Sequence, residues 1–391
     1  MRQRPAEIAG LAGAFAGALF ACVAWAATDA ERIDALEKQV NQIEASRPAP
    51  AELGLPLHGF LDVRAGYQGN DGPRGFSVGN LDFYLTPKIG DRIKGLVELV
   101  FEVDSATGEI SADLERAQIG YVFSDAATVW AGRFHSPWGY WNTAFHHGAQ
   151  IQTSITRPQF LEFEDHGGII PAHTVGLWAT GVLPVPAGKI TYDAFGGNAA
   201  RIDLDSPGGT PGSGQLNPNT AAATNNRGAA GFNLGYIFPG PAEGLKVGVH
   251  GYISTVNDNA VPQNSTRVRF AGGYFAYLDN DWEIMGEYYG FSNVDQSGTS
   301  GTHKSSAGYL QVGYIVERWT PYIRGEKTSL DQTDAFFAQQ AQGGSYERAV
   351  AGVRYDLDPR AALKLEVTRT RFTDRVVSSV NEVQAQWAIR F

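Results

Sequence analysis

The residues with the clearest chemical potential are the charged side chains of one long connecting segment, residues 136–172. This segment carries Arg157, Glu162, Glu164 and Asp165, together with six large aromatic residues. Aromatic side chains in that number are costly in water, so we expect the segment to pack inside the molecule. Its charged groups would then line an interior surface, where they can act on a passing solute.

Arginines on the flanking strand-like segments are the expected counterpart of these acids. Successive side chains of a strand point to opposite faces. Each arginine is therefore assigned to the inner face, and its apolar neighbour to the outer face. The expected inner residues are Arg64, Arg116 and Arg133, and the expected lipid-facing neighbours are Val63, Ala117 and Phe134. Acids on the loop opposed by bases on the wall would create a transverse field that orients dipolar solutes.

The same alternation predicts a secondary set of basic residues on the inner face. These residues are Lys246, Arg267, Arg269, Arg324, Arg348 and Arg354. One interpretation is a basic cluster that filters solutes by charge. The alternative is that each group is simply hydrated, because a wet interior tolerates charge.

Two histidine-containing pairs, His146-His147 and Asp165-His166, suggest a metal site or a hydrolase. Adjacent histidines point in different directions on most backbones, and neither an HExxH motif nor regular ligand spacing accompanies them. No nucleophile has a distinctive setting. We therefore expect no enzymatic activity, no metal ion and no cofactor, with the histidines hydrogen-bonded inside a packed loop.

Composition limits the class of protein. The chain has 391 residues, a net charge of −10, 18% charged residues and a mean hydropathy of −0.22. Only one stretch could cross a bilayer as a helix, which excludes a polytopic helical membrane protein, and the negative charge argues against nucleic acid as a partner. With 47 Gly, 16 Tyr and 21 Phe, the composition favours a β-rich protein, including a membrane barrel. The single cysteine, Cys22, allows no disulfide framework.

The N-terminal residues predict an exported protein. Arg2 and Arg4 precede an apolar run that ends in Ala24-Trp25-Ala26, which predicts a signal peptide over residues 1–26. An uncleaved anchor is the alternative, because the run is long enough to span a bilayer. Residues 27–52 then predict a short coiled-coil helix and a Pro-rich linker, with a seam formed by Ile33, Leu36, Val40 and Ile43. A frayed amphipathic segment is the alternative, because so short a helix is marginal in water.

From Leu57 to Phe391 the hydrophobic period changes to two. About sixteen alternating segments follow, the clearest being 381–391, where Val383, Trp387 and Ile389 share one face. The connections are alternately short and long, which is typical of outer-membrane barrels and not of soluble sandwiches. The sequence therefore predicts an all-β transmembrane antiparallel β-barrel of about 16 strands over residues 53–391, preceded by a short N-terminal helix. Residues 136–172 form its long third loop, and residues 198–227 are expected to form an exposed, mobile loop.

One motif resembles a known family. Residues 129–139, from Val129 to Gly139, are similar to the strand-to-loop motif G-x-F-x-x-P-F of the phosphate-selective porin O/P-like family of Gram-negative bacteria. Phe391 resembles the aromatic signal that the barrel assembly machinery recognises. The resemblance implies a passive, filtering channel in the outer membrane, commonly a homotrimer. Phosphate preference does not carry over, because the lysine-rich constriction of that family has no counterpart here.

Together these features predict an outer-membrane porin that lets small hydrophilic solutes diffuse passively, with residues 136–172 as its constriction. Its candidate constriction residues are Arg64, Arg116, Arg133, Arg157, Glu162, Glu164 and Asp165. Anionic or zwitterionic solutes are the expected class, because basic residues dominate the predicted inner wall. The alternative is a structural or surface-interaction barrel that is plugged by its third loop and anchored to the periplasm by its coiled coil.

Overall fold

The computed structural model describes residues 57–69, 74–87, 89–103, 108–145, 148–205, 210–219, 227–373 and 378–391. The predicted signal peptide and coiled coil lie outside these ranges, as do His146 and His147. Within the described ranges, no helix combines the length and the apolar character needed to cross a membrane.

Long antiparallel strands make up most of the described chain, because the sequence alternates with period two between turn residues. The eighteen strands are β1 (Leu57–Gln68), β2 (Arg74–Leu85), β3 (Ile93–Val103), β4 (Ile110–Ser124), β5 (Ala127–His135), β6 (His173–Val185), β7 (Gly188–Asn198), β8 (Arg201–Asp203), β9 (Gln215–Asn217), β10 (Gly228–Ile237), β11 (Leu245–Asp258), β12 (Ser265–Leu278), β13 (Trp282–Asp295), β14 (Thr302–Tyr314), β15 (Trp319–Ser329), β16 (Tyr346–Asp358), β17 (Ala361–Phe372) and β18 (Ser379–Arg390). The short helices are α1 (Trp141–Ala144), α2 (Ala335–Ala338) and two 3₁₀ turns, Gln159–Leu161 and Gly240–Ala242.

Sixteen of these strands, all except β8 and β9, form one closed antiparallel barrel, which confirms the predicted fold class. Neighbours in sequence pair with each other, β7 pairs with β10, and β18 pairs back onto β1. Closure leaves no unpaired sheet edge, which is the condition for a sheet to lie in lipid. Phe391 completes the seam, because its backbone N–H and C=O both hydrogen-bond to Gly59 at 3.0 Å.

The predicted alternation of short and long connections is only partly kept. One end of the barrel carries short turns such as residues 125–126 and 186–187, and the other carries the three long loops. However, residues 86–92 and 238–244 at the short-turn end are longer connections than residues 259–264 and 296–301 at the long-loop end. We name the three long loops L3 (136–172), L4 (199–227) and L7 (330–345). Both described ends of the chain, at β1 and β18, therefore lie at the short-turn end.

The two faces of the barrel wall differ in polarity. Along β17, Leu363, Leu365 and Val367 point outward and are 40–50% exposed, whereas Glu366 between them is 1% exposed and points inward. An outward apolar face of this kind is favourable only in contact with hydrocarbon. The hydrophobic core lies inside the barrel, where Trp138, Trp141 and Phe160 of L3 pack against inward aromatic residues.

L4 departs from the prediction of an exposed, mobile loop. Its strands β8 and β9 form a small hairpin, and β8 pairs in parallel with the end of β11. Ile202, Leu204 and Leu216 are buried in the core that L3 also joins. The described part of L4 thus packs through three dispersed apolar residues, although no cluster of large apolar residues is visible in its sequence.

Candidate functional site

L3 folds into the barrel, and Arg324 of β15 is its most heavily bonded anchor. The guanidinium donates to Thr156 Oγ1 at 2.8 Å and to the carbonyl oxygens of Thr156 and Arg157 at 2.9 and 3.0 Å. It also donates to Ser154 Oγ at 3.0 Å and forms an ion pair with Glu326 at 2.8 Å. Both partners of this ion pair are fully buried, so Arg324 holds the loop and does not face a solute.

Neighbouring inward residues bind the same stretch of L3. Arg354 donates to the carbonyl oxygen of Gln152 at 2.9 Å, and Lys364 donates to the carbonyl oxygens of Ala149 and Ser154. Glu366 accepts from the backbone N–H of Ile155 at 2.9 Å. These contacts satisfy backbone groups of a buried loop, which would otherwise be costly.

Aromatic packing fixes the other half of L3. Glu287 of β13 accepts from the backbone N–H of Trp141 at 2.6 Å and from the hydroxyls of Tyr289 and Tyr309 at 2.8 Å. The Trp141 and Tyr309 rings meet edge to face at 5.5 Å between centroids. On L3, burial and the charges of Glu283 and Glu287 raise the pKa of Tyr140 well above its ordinary value.

The wall formed by β1 to β4 carries charged, partly exposed side chains where it faces L3. Arg64 points inward, forms an ion pair with Asp62 at 2.6 Å and keeps 37% of its side chain exposed. Arg116 points inward as well, pairs with Glu98 and keeps 12% exposed. Arg64 is also close enough to Glu162 of L3 and to Glu102 of β3 to interact with their charges. Arg64 and Glu162 therefore lie at one solvent-accessible space, which we name the hydrated space, and Arg116 lies on the same wall.

The acidic tip of L3 contacts β3 through a histidine. His166 Nε2 lies 3.1 Å from Glu102 Oε2, and the His166 side chain is 43% exposed. Burial lowers the pKa of His166, but the hydrogen bond to Glu102 and the charge of Asp165 outweigh it and raise the pKa to about 9. Asp165 itself is exposed. Asp165 and His166 thus belong to the same hydrated space as Arg64.

Arg157 and Glu164, by contrast, are buried. Arg157 is 5% exposed, donates to the Leu161 carbonyl oxygen at 3.1 Å and lies over the Phe163 ring at 4.0 Å. Glu164 accepts from the backbone N–H and the Nδ1 of His173 at 2.8 and 2.7 Å. Burial raises the pKa of Glu164, but the charge and hydrogen bonds of His173 outweigh it and lower the pKa. Neither residue faces the hydrated space.

The facing prediction for Phe134 was wrong. Phe134 is fully buried and packs on Trp178 and Phe195 inside the barrel. Arg133 shares its side of β5 with Val129, which is 38% exposed on the outer face. Arg133 is nevertheless 8% exposed, because it donates to Asn219 of L4 at 2.9 Å and lies 3.3 Å from Asp113. Arg133 therefore binds L4 and, through Asp113 and Glu115, β4, and it does not line the hydrated space.

Two members of the secondary basic set were also assigned to the wrong face. Arg267 and Arg269 alternate with Val268 and Phe270, which are buried in the core. Arg269 pairs across the sheet with Ile253, which is 44% exposed on the outer face. Of the remaining members, Lys246, Arg324, Arg348 and Arg354 do point inward, and Arg348 lies 3.8 Å from Glu382.

A buried cluster of metal-ligating residue types was missed in the sequence. Glu115, His135 and His173 come from β4, β5 and β6, and their potential ligand atoms all lie within 4.8 Å of one another. His135 and His173 are separated by the whole of L3, so no local spacing marks them. Their one visible feature in the sequence is that they lie directly before and directly after L3. The pairing of β5 with β6 then places His135 opposite His173.

Comparison with known proteins supports the fold and no more specific relationship. No protein-family model and no curated protein matches the sequence. Among solved structures, the trimer form of OmpT, an outer membrane protein of Vibrio cholerae, matches with a TM-score of 0.53 and 11% identity over 86% of this chain and 99% of that chain. The outer membrane channel DcaP of Acinetobacter baumannii matches with a TM-score of 0.52 and 12% identity over 86% and 96%. OmpF of Salmonella typhi, solved with daunomycin, matches with a TM-score of 0.50 and 14% identity over 86% and 97%. The chain therefore has the fold of an outer-membrane β-barrel.

Proposed function

We propose that this chain is an outer-membrane channel through which small hydrophilic solutes diffuse passively between L3 and the wall formed by β1 to β4. One observation carries the proposal. Arg64 faces the inside of the barrel, within reach of the charges of Glu162 and Glu102, and still exposes 37% of its side chain. Water therefore reaches the inner wall beside the loop that narrows the barrel. The outer membrane channel DcaP has the same fold.

The charges around this space favour cationic and zwitterionic solutes over anionic ones. The expectation of anionic solutes depended on a basic inner wall. Arg324, Arg354 and Lys364 donate to loop carbonyl oxygens instead, and Arg267 and Arg269 face outward. Arg64 and Arg116 are each paired with a wall acid, and three further carboxylates, those of Glu102, Glu162 and Asp165, lie near His166. We therefore propose a net negative potential in this space, which attracts cations.

The remaining parts of the proposal follow from this function. We propose a non-enzymatic homotrimer in the outer membrane, in line with the trimer form in which OmpT was solved. We also propose that the signal peptide exports the protein and that the chain is a member of the phosphate-selective porin O/P-like family. The barrel assembly machinery would recognise Phe391. The Phe391 ring lies on the outer face, 47% exposed and 6.0 Å from the Phe83 ring, where another protein can reach it.

A plugged structural barrel is the second candidate. It is favoured by the extent of L3 inside the barrel. The backbone N–H of Trp141 on L3 donates to Glu287 of β13, and the Gln150 side chain donates to the Pro359 carbonyl oxygen at the short-turn end. Such a loop could fill the barrel completely.

Single-channel recording in planar lipid bilayers separates the two candidates. The channel predicts discrete, reproducible conductance steps, in groups of three for a trimer, with a reversal potential that indicates cation preference in a salt gradient. Correctly folded protein that gives no conductance steps contradicts the channel and favours the plugged barrel.

A further inference from the structure

Three side chains on three strands converge where L3 leaves and rejoins the barrel wall. Glu115, His135 and His173 are 1%, 6% and 2% exposed, and the His135 and His173 rings lie 4.8 Å apart between centroids. His173 Nε2 lies 2.6 Å from Glu115 Oε2. Two imidazoles and a carboxylate are thus grouped in a site that solvent barely reaches.

A second carboxylate orients His173. Glu164 of L3 is 2.7 Å from His173 Nδ1, on the side of the ring opposite to Glu115. A proton on Nδ1 that is donated to Glu164 leaves the lone pair of Nε2 directed at the cluster. Histidine ligands of metal ions characteristically donate their other N–H to a carboxylate in this way, which fixes both tautomer and ring orientation.

This donor set matches the preference of zinc-like ions. Two imidazole nitrogens and one carboxylate oxygen, with a fourth position for water, form a common three-ligand zinc site. Magnesium and calcium prefer all-oxygen sites. Ligands of a tetrahedral zinc ion at about 2.0 Å lie about 3.3 Å apart. To admit the ion, Glu115 Oε2 needs to move less than about 1 Å away from His173 Nε2, and the His135 nitrogen, which lies within 4.8 Å of both, needs to approach them by no more than about 1.5 Å.

The location gives such an ion a structural effect. The pairing of β4 with β5 ends at Ala117 and Arg133, and beyond it Phe134 and His135 pair with Thr174 and His173 of β6. Arg133 already lies 3.3 Å from Asp113 and 3.8 Å from Glu115 of β4, and an ion held by Glu115, His135 and His173 would add a further link between this hairpin end and β4. Through Glu164, it would also hold the returning end of L3.

We propose that Glu115, His135 and His173 bind one divalent transition-metal ion of the zinc type, and that this ion fixes the base of L3 to the barrel wall. Glu164 is a positioning residue that acts through His173. The competing arrangement is a doubly protonated His173 that bridges Glu115 and Glu164 and excludes a metal ion by its charge. The proposal is independent of the solutes that the channel admits.

Metal binding to the folded full chain in detergent micelles tests the proposal. After chelator treatment, titration with Zn²⁺ followed by elemental analysis is expected to give one tightly bound ion per chain, with no comparable uptake of Mg²⁺. Co²⁺ is expected to give visible absorption bands of a four-coordinate site. Glu115→Gln and His135→Gln are expected to abolish both signals, and Glu164→Gln to weaken affinity about 10–100-fold.

Matched variants separate this site from other histidines. His303→Gln removes a buried histidine that contacts Asp331, His166→Gln removes the exposed one beside Glu102, and His146→Asn with His147→Asn removes the adjacent pair. All three are expected to keep one ion per chain. X-ray absorption at the zinc edge of the unmodified protein is expected to show two imidazoles and a carboxylate, which keeps the test valid if a variant does not fold. Failure of the unmodified protein to bind Zn²⁺, or binding that survives Glu115→Gln and His135→Gln, overturns the proposal.

Discussion

Arg324 of β15 donates to both the side-chain hydroxyl and the backbone carbonyl of Thr156, which lies 168 positions earlier in the chain. This pair joins the barrel wall to the middle of L3. Because Arg324 also neutralises the buried Glu326, the position of the loop and the electrostatic stability of the inner wall depend on the same guanidinium group. Loop placement and barrel stability should therefore change together when Arg324 is altered.

We expect Arg324→Leu to destabilise the folded barrel by about 3–5 kcal/mol, the usual cost of removing one partner from a buried ion pair. L3 should also lose its central anchor, so single-channel currents should become noisier. Urea unfolding in lipid vesicles and bilayer recordings measure the two effects. Lys327→Ala is the matched control on the same strand, because its pair with Glu347 is 70% and 59% exposed and contributes at most about 1 kcal/mol. Equal losses for both variants would contradict the anchoring role.

Charge selectivity should depend on Arg64 and Glu162. Arg64→Ala removes a positive charge from the hydrated space and the ion-pair partner of Asp62, so the reversal potential should shift toward stronger cation preference. Glu162→Gln should shift it in the opposite direction. Arg269→Ala is the control, because this arginine faces outward and its removal should leave the reversal potential unchanged. A shift with Arg269→Ala as large as that with Arg64→Ala would show that the passage has been misplaced.

The contact between L3 and β3 should depend on pH through His166. Glu102 and Asp165 raise its pKa from 6.5 to about 9, so the proton is held more tightly in the folded protein. The stabilisation is fully present below pH 6.5 and is lost as the pH rises toward 9. With a side chain 43% exposed, it should amount to less than about 1 kcal/mol. A nuclear magnetic resonance titration of the His166 ring should give a midpoint near 9, which Glu102→Gln should lower. A midpoint near 6.5 in the unmodified protein would exclude the ion pair.

The outward face of β17 should tolerate charge poorly. Leu365 is 50% exposed near the middle of its strand, so Leu365→Arg should cost about 2–4 kcal/mol if this face contacts hydrocarbon. Ser329→Arg, at the long-loop end of β15, should lower the free energy of unfolding by about 1 kcal/mol or less. Unfolding free energies in lipid vesicles measure the difference, and equal costs at the two sites would argue against lipid contact at Leu365.

The barrel itself was predictable because its signal is repeated in every strand. Alternation with period two, turn residues and the order of short and long connections all indicated one closed sheet. The inward folding of L3 was predictable as well, because Trp138, Trp141 and Phe160 could not remain in water. These features depend on local sequence and on burial, and both are visible without coordinates.

The assignment of faces failed where it assumed that charged residues point inward. The aromatic residues of L3 fill the interior beside β12, so the inner face there is apolar, with Val268 and Phe270 buried. Arg267 and Arg269 consequently occupy the outer face. The cluster of Glu115, His135 and His173 was not predictable for another reason, since it depends on pairings between distant segments that no local pattern encodes.

Phe134 was assigned to the outer face although it packs inside the barrel, and the role of the backbone at Gly132, two positions before it, is testable. Gly132 has φ of +132°, and a Cβ added there would collide with the carbonyl oxygen of Ala117 on β4. Gly132→Ala should therefore cost more than the 1–3 kcal/mol that is typical of a strained backbone angle. Gly75→Ala is the matched control, because Gly75 has φ of +123° but no atom within 4 Å of the added Cβ. If the close approach of β4 and β5 at Gly132 matters, Gly132→Ala will lower the free energy of unfolding more than Gly75→Ala. Equal losses would mean that the backbone angle alone accounts for the glycine.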